Sequence, residues 1–474
     1  MKPKSTLFRA AEHAASYLDG LSTHPVGATT TADDLRQRLA LALPETGTDP
    51  ARVIDDLVEQ TRGGHLGSAG GRFFAWVIGG ALPSALAADW LTSTWDNNAA
   101  LYACGPAAAV VEEVAGSWVK QLLGLPMNAS FAFTTGCQMA HVTCLAAARH
   151  SILRDVGWDV EADGLQGAPS IRVIASEHCH GSIERAVRFL GLGKNSIVAL
   201  ATGADARVRP DTLEASLAQG EPTLVVLDAA DLNVGAIDPF DELIPIAKAH
   251  GAWVHIDGAF GLWARASKHA PRLAGVELAD SWATDAHKWL NTPKDNGIAI
   301  IRDSSAHRAA MSVSAAYLSS PSGVRDQIDW TPDWTRRARG FAVYAAIREL
   351  GRDGIADLVE RCCRFAEELA NGFASIPGVE LVAAPTLNQA LVRFIHPDPC
   401  ASVNEQDGWN DKIIDALNRE GTAFFSGSRW SGLRVMRISV VNWQTTSDDV
   451  VKTLEAAERV IETERGNAIV PRPA

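Results

Sequence analysis

At 474 residues, with 47 % hydrophobic and 21 % charged positions, the chain has the make-up of an ordinary globular protein, long enough for two or three domains at roughly 100–200 residues each. Its 56 acidic residues outnumber 43 basic ones, giving a formal net charge of −13, which argues against a nucleic-acid or anionic-membrane surface and leaves a small molecule as the expected partner. No apolar run approaches the roughly 20 residues of a membrane span, and the seven cysteines form no Cys-x-x-Cys pair or zinc-type spacing, so the expected setting is reduced and cytoplasmic, with no metal.

From the N-terminus, residues 5 to about 60 read as helices, with breaks at His24-Pro25 and between Pro44 and Pro50; the acids at Asp33-Asp34 and at Asp49 suit helix starts. The glycine-rich stretch from Gly63 to Pro83 has the backbone freedom that a ligand loop needs, and suits a connector equally well. Phe131 to His150 reads as a short strand, a tight glycine turn and a helix. The unpaired backbone N–H groups at such a helix start favour an anion without any lysine. Ser170 to Gly193 is again a strand and a helix, with His180 at the junction.

Strand-like runs recur at Ser196–Ala201, Thr223–Ala229, Trp253–Asp257, Ser281–Thr284 and Gly297–Arg302, several of them separated by helical segments such as Pro239–His250. This alternation predicts a mostly parallel sheet with helices on both faces. Ser312 to Trp334 is polar, interrupted by proline and glycine, and reads as a long functional loop. From about Arg336 the pattern turns helical. Strands in ALVRFI and LRVMRISVVNW and a final helix over Ser447–Glu464 then predict a smaller α+β domain, followed by an unstructured tail, NAIVPRPA.

Two residues in this series invite chemistry. The apolar run Trp253–Ile256 ends in Asp257, and the run Ser281–Thr284 leads into Asp285, Ala286, His287 and Lys288. An acid and a lysine thus stand at the ends of two strands, where an open α/β sheet keeps its ligand crevice. Pyridoxal phosphate needs both: a lysine to hold it as a Schiff base and an aspartate to keep its ring nitrogen protonated, so that the ring accepts electrons from the substrate. Ala259, two residues beyond Asp257, is small enough for a flat ring to lie against. Lys294 is a rival lysine by proximity, but it follows Pro293 in a turn.

The strings HIDGAFG and DAHKWLN, with HGSIERA around His180, resemble the group II pyridoxal-phosphate-dependent decarboxylases, relatives of aromatic-L-amino-acid decarboxylase. The resemblance implies the type I, aspartate-aminotransferase-like fold: an N-terminal helical arm over 1–79, a large cofactor-binding domain over 80–340, and a small C-terminal domain over 341–474. It implies a homodimer. It also implies that Lys288 carries the cofactor, Asp257 faces the ring nitrogen, Ala259 touches the ring and His180 stacks on it. Cys137 and Gln138 match the phosphate turn, Asp231 a ring-side contact, and Asp285 and His287 further cofactor contacts. Phe74, Trp76 and Gly79 fall near the substrate. The family returns a proton from a loop tyrosine; Asp326 or Gln327 aligns there, and Tyr317, earlier in the loop, is the substitute. The implied activity is decarboxylation of an L-amino acid, an aromatic one favoured. The alternatives are a carbon–carbon lyase, aldolase or aminotransferase on the same scaffold, and a cofactor-binding protein without turnover.

Overall fold

The computed structural model describes residues 3–217, 220–313 and 323–469, and its chain divides into two compact units. One comprises residues 1–80, 365–384 and 390–474; the other comprises 81–364 and 385–389. The first unit begins with helices α1 (Pro3–Gly20), α2 (Ala32–Leu39) and α3 (Pro50–Thr61). Their starts follow local chemistry. Thr31 and Asp34 form a reciprocal capping box on α2, and Asp49 caps α3 ahead of Pro50 at its first position.

The second unit holds the large sheet. Its strands are β1 (Ser130–Thr134), β2 (Arg172–Ser176), β3 (Ile197–Leu200), β4 (Thr223–Asp228), β5 (Trp253–Asp257), β6 (Ser281–Asp285) and β7 (Gly297–Ile301). They lie in the order β1-β7-β6-β5-β4-β2-β3. β2 to β6 pair in parallel, while β7 runs antiparallel to both β6 and β1. All residues of β1, β4, β5, β6 and β7 are buried, as expected of strands covered on both faces. The helices of this unit are α4 (Pro83–Trp95), α5 (Pro106–Leu123), α6 (Cys137–Asp155), α7 (Val160–Asp163), α8 (Gly181–Phe189), α9 (Pro210–Leu217), α10 (Phe240–Ala249) and α11 (Ser304–Met311). α6 is the central one: it packs across β7, β6, β5 and β1, and α8 and α11 pack on it. Small residues, Ala140, Ala146, Ala147 and Ala148, allow that close approach, and all are buried.

Helix α12 (Gly340–Ser375) is interrupted at Gly351, whose φ of 62° is non-helical. The first unit is completed by β8 (Val379–Ala383), β9 (Gln389–Phe394), α13 (Val403–Glu420), β10 (Ser426–Trp430), β11 (Leu433–Ser439) and α14 (Ser447–Ile469). The strands form a second sheet in the order β10-β11-β9-β8. The final helix runs past the predicted Glu464 to Ile469, so the start of the segment expected to be an unstructured tail is helical. The predicted loop contains a short 3-10 turn at Gln327–Asp329.

Candidate active site

The register of the parallel strands sets Asp257, the last residue of β5, opposite Asp228 of β4 on one side and Ala283 of β6 on the other. The two strand ends are stitched together by the backbone: Gly258 N–H donates to the Ala283 carbonyl and Asp285 N–H to that of Ala259, both at 2.9 Å. Asp257 is buried, and both of its oxygens face donors. Ala259 N–H donates to Oδ1 at 3.1 Å, and Nε2 of His141 lies 3.4 Å from Oδ2. Burial alone pushes this carboxyl up, but His141, with His180 and Lys288 also near, outweighs burial and holds it well below the usual carboxylate range.

Beyond β6, the amides of Ala286 and His287 donate to the Asn296 carbonyl, and Asn296 N–H donates back to His287 Nδ1 at 3.1 Å. This closes residues 286–296 into a compact loop that carries Lys288. Lys288 Nζ lies 3.3 Å from Asp285 Oδ2. Burial works against the ammonium, yet Asp285, foremost among its neighbours, reverses the balance and raises the lysine pKa. His287 shifts the other way: burial lowers it against the pull of Asp285, with Lys288 and Lys294 adding to the burial effect. Lys294 is exposed on the same loop and has no hydrogen-bond or ion-pair partner among the described residues; partial desolvation of its amine lowers its pKa.

The turn from β1 into α6 presses onto this loop. A Cβ on Gly297 would lie 2.3 Å from the Gly136 carbonyl carbon, and one on Gly136 would lie 3.3 Å from His287 Cε1. The absence of side chains there is what permits the approach. Cys137, expected at the phosphate, has protein partners in this structure. Its backbone N–H donates to Asp285 Oδ1 at 2.6 Å, and its thiol lies 3.4 Å from His141 Nε2. The protein's own carboxylate thus takes an N–H that a helix start would offer to an anion. Gln138 Nε2 donates to the Ser182 carbonyl at 3.2 Å and ties α6 to the first turn of α8.

His180 is the N-cap of α8: its Nδ1 accepts from Ser182 N–H at 3.2 Å and lies 2.7 Å from Ser182 Oγ. Because a backbone N–H only donates, Nδ1 is an acceptor and the neutral ring carries its proton on Nε2. The ring lies near Asp257, and its protonated form would add to the pull that keeps that carboxylate ionised. Asp231, expected beside the ring, accepts at Oδ1 from the N–H groups of Asn233 and Val234, both at 2.8 Å, and so shapes the turn after β4.

The residues placed near the substrate lie in the first unit. Phe74 is wholly buried and stacked on Phe425 with centroids 5.6 Å apart, a packing role. Trp76 is 47 % exposed and leans on Phe424 at 5.5 Å, with a positive φ of 55°. Gly79 is buried. Tyr317 lies outside the described residues. Of the two residues aligned at the loop tyrosine, Asp326 accepts from Tyr102 N–H at 2.6 Å, and Gln327 is buried with its Oε1 accepting from Arg325 at 3.0 Å. Both are anchored to the second unit.

Sequence reasoning gave no role to His141 or His255. His141 lies one turn after Cys137 on α6, and its Nδ1 meets His255 Nε2 at 2.9 Å. His255 precedes Asp257 by two residues on β5, and its same-face spacing was the one available signal.

Residues 33–395 match the pyridoxal-dependent decarboxylase conserved domain. An aromatic-L-amino-acid decarboxylase of Bacillus atrophaeus is 26 % identical over 457 residues, covering 94 % of this chain and 93 % of that protein. An L-2,4-diaminobutyrate decarboxylase of Rhizobium meliloti (strain 1021) is 30 % identical over 383 residues, covering 78 % and 74 %. Among solved structures, Oryza sativa TDC with PLP and tryptamine superposes with a TM-score of 0.91 at 22 % identity, covering 98 % of this chain and 100 % of that one.

Proposed function

The chain belongs to the pyridoxal-dependent decarboxylase family and is a pyridoxal-phosphate-dependent amino-acid decarboxylase; within that activity we propose that Lys288, Asp257 and His180 carry the reaction, and that the substrate is an aromatic L-amino acid. The observation that carries the assignment of residues is the placement of buried Asp257 at the end of β5, opposite Ala283 of the neighbouring parallel β6, with Lys288 three residues beyond the end of β6 and 3.3 Å from Asp285. That donor set fits the cofactor. Asp257 offers a carboxylate already oriented by two donors, Ala259 leaves room for a ring, and Lys288 supplies the amine.

When bound, the cofactor accepts the electrons left on the substrate when its carboxylate departs as carbon dioxide. The chain's own residues do the rest. Lys288, held as an ammonium by Asp285, would supply the amine that carries the cofactor, with the Asp285 carboxylate 3.3 Å away as the acceptor for its proton. Asp257 would keep the ring nitrogen protonated; each pKa unit of that preference is worth about 1.4 kcal/mol. His180, with its proton on Nε2, would cover the ring and present a donor toward the substrate carboxylate or the α-carbon. Cys137 and Gln138, at the start of α6, would hold the phosphate with His287 beside them, although Asp285 accepts from the Cys137 N–H in this structure. The aromatic preference rests on the Bacillus relative, whose match spans nearly all of both chains.

The enzyme is further read as a cytoplasmic homodimer. Supporting this, α1 leaves Leu7 and Phe8 57 % and 59 % exposed, an apolar surface that a second copy would cover, and all seven cysteines are free thiols. Incubation with a panel of L-amino acids, with carbon dioxide and amine quantified together, tests the reading. One-to-one release from tryptophan, tyrosine or phenylalanine supports it. Release only from 2,4-diaminobutyrate or an acidic amino acid removes the aromatic assignment, and an aldehyde or keto acid without carbon dioxide would place the chain on a different reaction branch.

A further inference from the structure

Behind Asp257, on the side reached by α6 and β5, lies a chain of buried polar groups that the reaction as described does not use. His141 and His255 are both fully buried, as is Ser281, and Trp253 is nearly so. Oδ2 of Asp257 is 3.4 Å from His141 Nε2; His141 Nδ1 is 2.9 Å from His255 Nε2; His255 Nδ1 is 2.9 Å from Ser281 Oγ; and Trp253 Nε1 donates to the same Oγ at 2.9 Å. The two imidazoles meet nearly edge-on, at an interplanar angle of 83°.

The direction of every bond in this chain follows from its far end. An indole N–H has no acceptor function, so Ser281 Oγ accepts from Trp253. The hydroxyl proton of Ser281 then needs an acceptor, and among the described residues His255 Nδ1 is the one within reach. With Nδ1 accepting, the proton of His255 sits on Nε2 and is donated to His141 Nδ1. His141 therefore carries its own proton on Nε2, facing Asp257. Reversing the chain would leave the Ser281 proton buried without an acceptor, at a cost of the order of a lost hydrogen bond. Among the described residues the one other group facing His141 Nε2 is the Cys137 thiol, which burial and Asp285 keep protonated and which is a weak acceptor, so Asp257 is the principal recipient.

We propose that Trp253, Ser281, His255 and His141 form a one-way hydrogen-bond relay that fixes His141 as a permanent donor to Asp257 and so keeps that carboxylate ionised and oriented. All four are positioning residues: none meets the reacting atoms, and each acts through the next. The inference rests on Asp257 being the ring-nitrogen partner, but the proton positions themselves follow from the protein alone.

Neutron diffraction from deuterium-exchanged crystals of the full chain tests the proton positions directly. Deuterium on Nε2 of both His141 and His255, and on Nδ1 of neither, is the expected result. Deuterium on His141 Nδ1 overturns the relay, whether or not the protein binds any cofactor. The consequence for the site is read by titrating the protein with pyridoxal 5′-phosphate. Ser281→Ala removes the donor that sets the direction and is expected to weaken cofactor binding about two- to tenfold, the effect of one hydrogen bond. Ser281→Thr restores the hydroxyl and most of the affinity. In turnover, Ser281→Ala lowers kcat with KM for the amino acid unchanged. Wild-type affinity in Ser281→Ala refutes the proposal. If that variant does not fold, Trp253→Phe serves instead: Ser281 keeps its proton and with it the direction of the relay, so a single His255 tautomer protonated on Nε2 is expected, and a mixture of tautomers would count against the relay. A wild-type protein that takes up no pyridoxal phosphate, with the proton positions as stated, would remove the functional reading and leave the relay standing.

Discussion

Glu112→Gln is expected to destabilise the protein by about 3 kcal/mol, the lower end of the range for breaking a buried ion pair from one side. Glu112 on α5 and Arg336 are 1 % and 0 % exposed, and Arg336 Nη1 donates to Glu112 Oε2 at 2.9 Å. The guanidinium also donates to the carbonyls of Ala99 at 3.2 Å and Phe133 at 3.0 Å. Glutamine keeps the volume and one acceptor oxygen but removes the charge, leaving a buried guanidinium with two neutral carbonyls. The retained acceptors set the cost at the low end of the range; Glu112→Ala, which also opens a cavity, should exceed it. The double variant Glu112→Leu/Arg336→Met should recover most of the loss, because it leaves no charge behind. Because Phe133 is one residue from the end of β1 and the turn into α6, loosening the pair should also reduce retention of the cofactor. Urea unfolding followed by circular dichroism and tryptophan fluorescence measures the effect. A Glu112→Gln protein within about 1 kcal/mol of the parent would show that the pair contributes far less than its burial implies.

Further outcomes follow from the same structure. His307, buried between Ser130 Oγ and the Trp330 carbonyl, is pushed down to about 3 by burial, with Arg325 adding to it. The folded state holds it neutral while the unfolded chain protonates near 6.5. Its contribution is therefore complete above that pH and lost, by up to about 1.4 kcal/mol per unit, as pH falls toward 3. The Tm gap between wild type and His307→Gln should accordingly narrow from pH 7.5 to pH 5, and a constant gap contradicts this. Gly297→Ala forces a Cβ to within 2.3 Å of the Gly136 backbone, so the variant should fold poorly or lose cofactor binding, measured by expression yield and visible absorbance; normal binding would show that β1 and β7 can part at no cost. Asp285→Asn removes the carboxylate that raises the Lys288 pKa. The pH profile for covalent cofactor capture should then move to lower pH, and an unmoved profile would deny Asp285 that role.

The strands bearing the site were legible because their chemistry is local. Trp253–Asp257 and Ser281–Asp285 are short, mostly apolar, strand-like runs ending in acids, and the structure places β5 and β6 there. The glycine turn before Cys137 marked the start of α6 for the same reason. Strand direction was not legible: Gly297–Ile301 is as apolar as its neighbours, and nothing in it announces that β7 runs against them. The partners of the acids were also hidden. His141 and His255 are 114 positions apart, and each sits in an apolar stretch where a single histidine reads as packing. Asp285 was foreseen as a cofactor contact, but its hold on Lys288 and on the Cys137 N–H depends on a glycine-to-glycine approach that no periodicity encodes. His180 was expected on the ring, and its capping of α8 fixes which nitrogen keeps the proton.

The central claim, that Lys288 carries the cofactor opposite Asp257, is tested most directly by borohydride reduction of the purified protein followed by peptide mass mapping, with Lys288→Ala alongside. The account predicts a yellow protein whose visible band is lost on reduction, a pyridoxyl group fixed to the peptide containing Lys288, and no such band in the variant. A label on Lys294 instead, or a protein that takes up no pyridoxal phosphate when it is supplied, would contradict it.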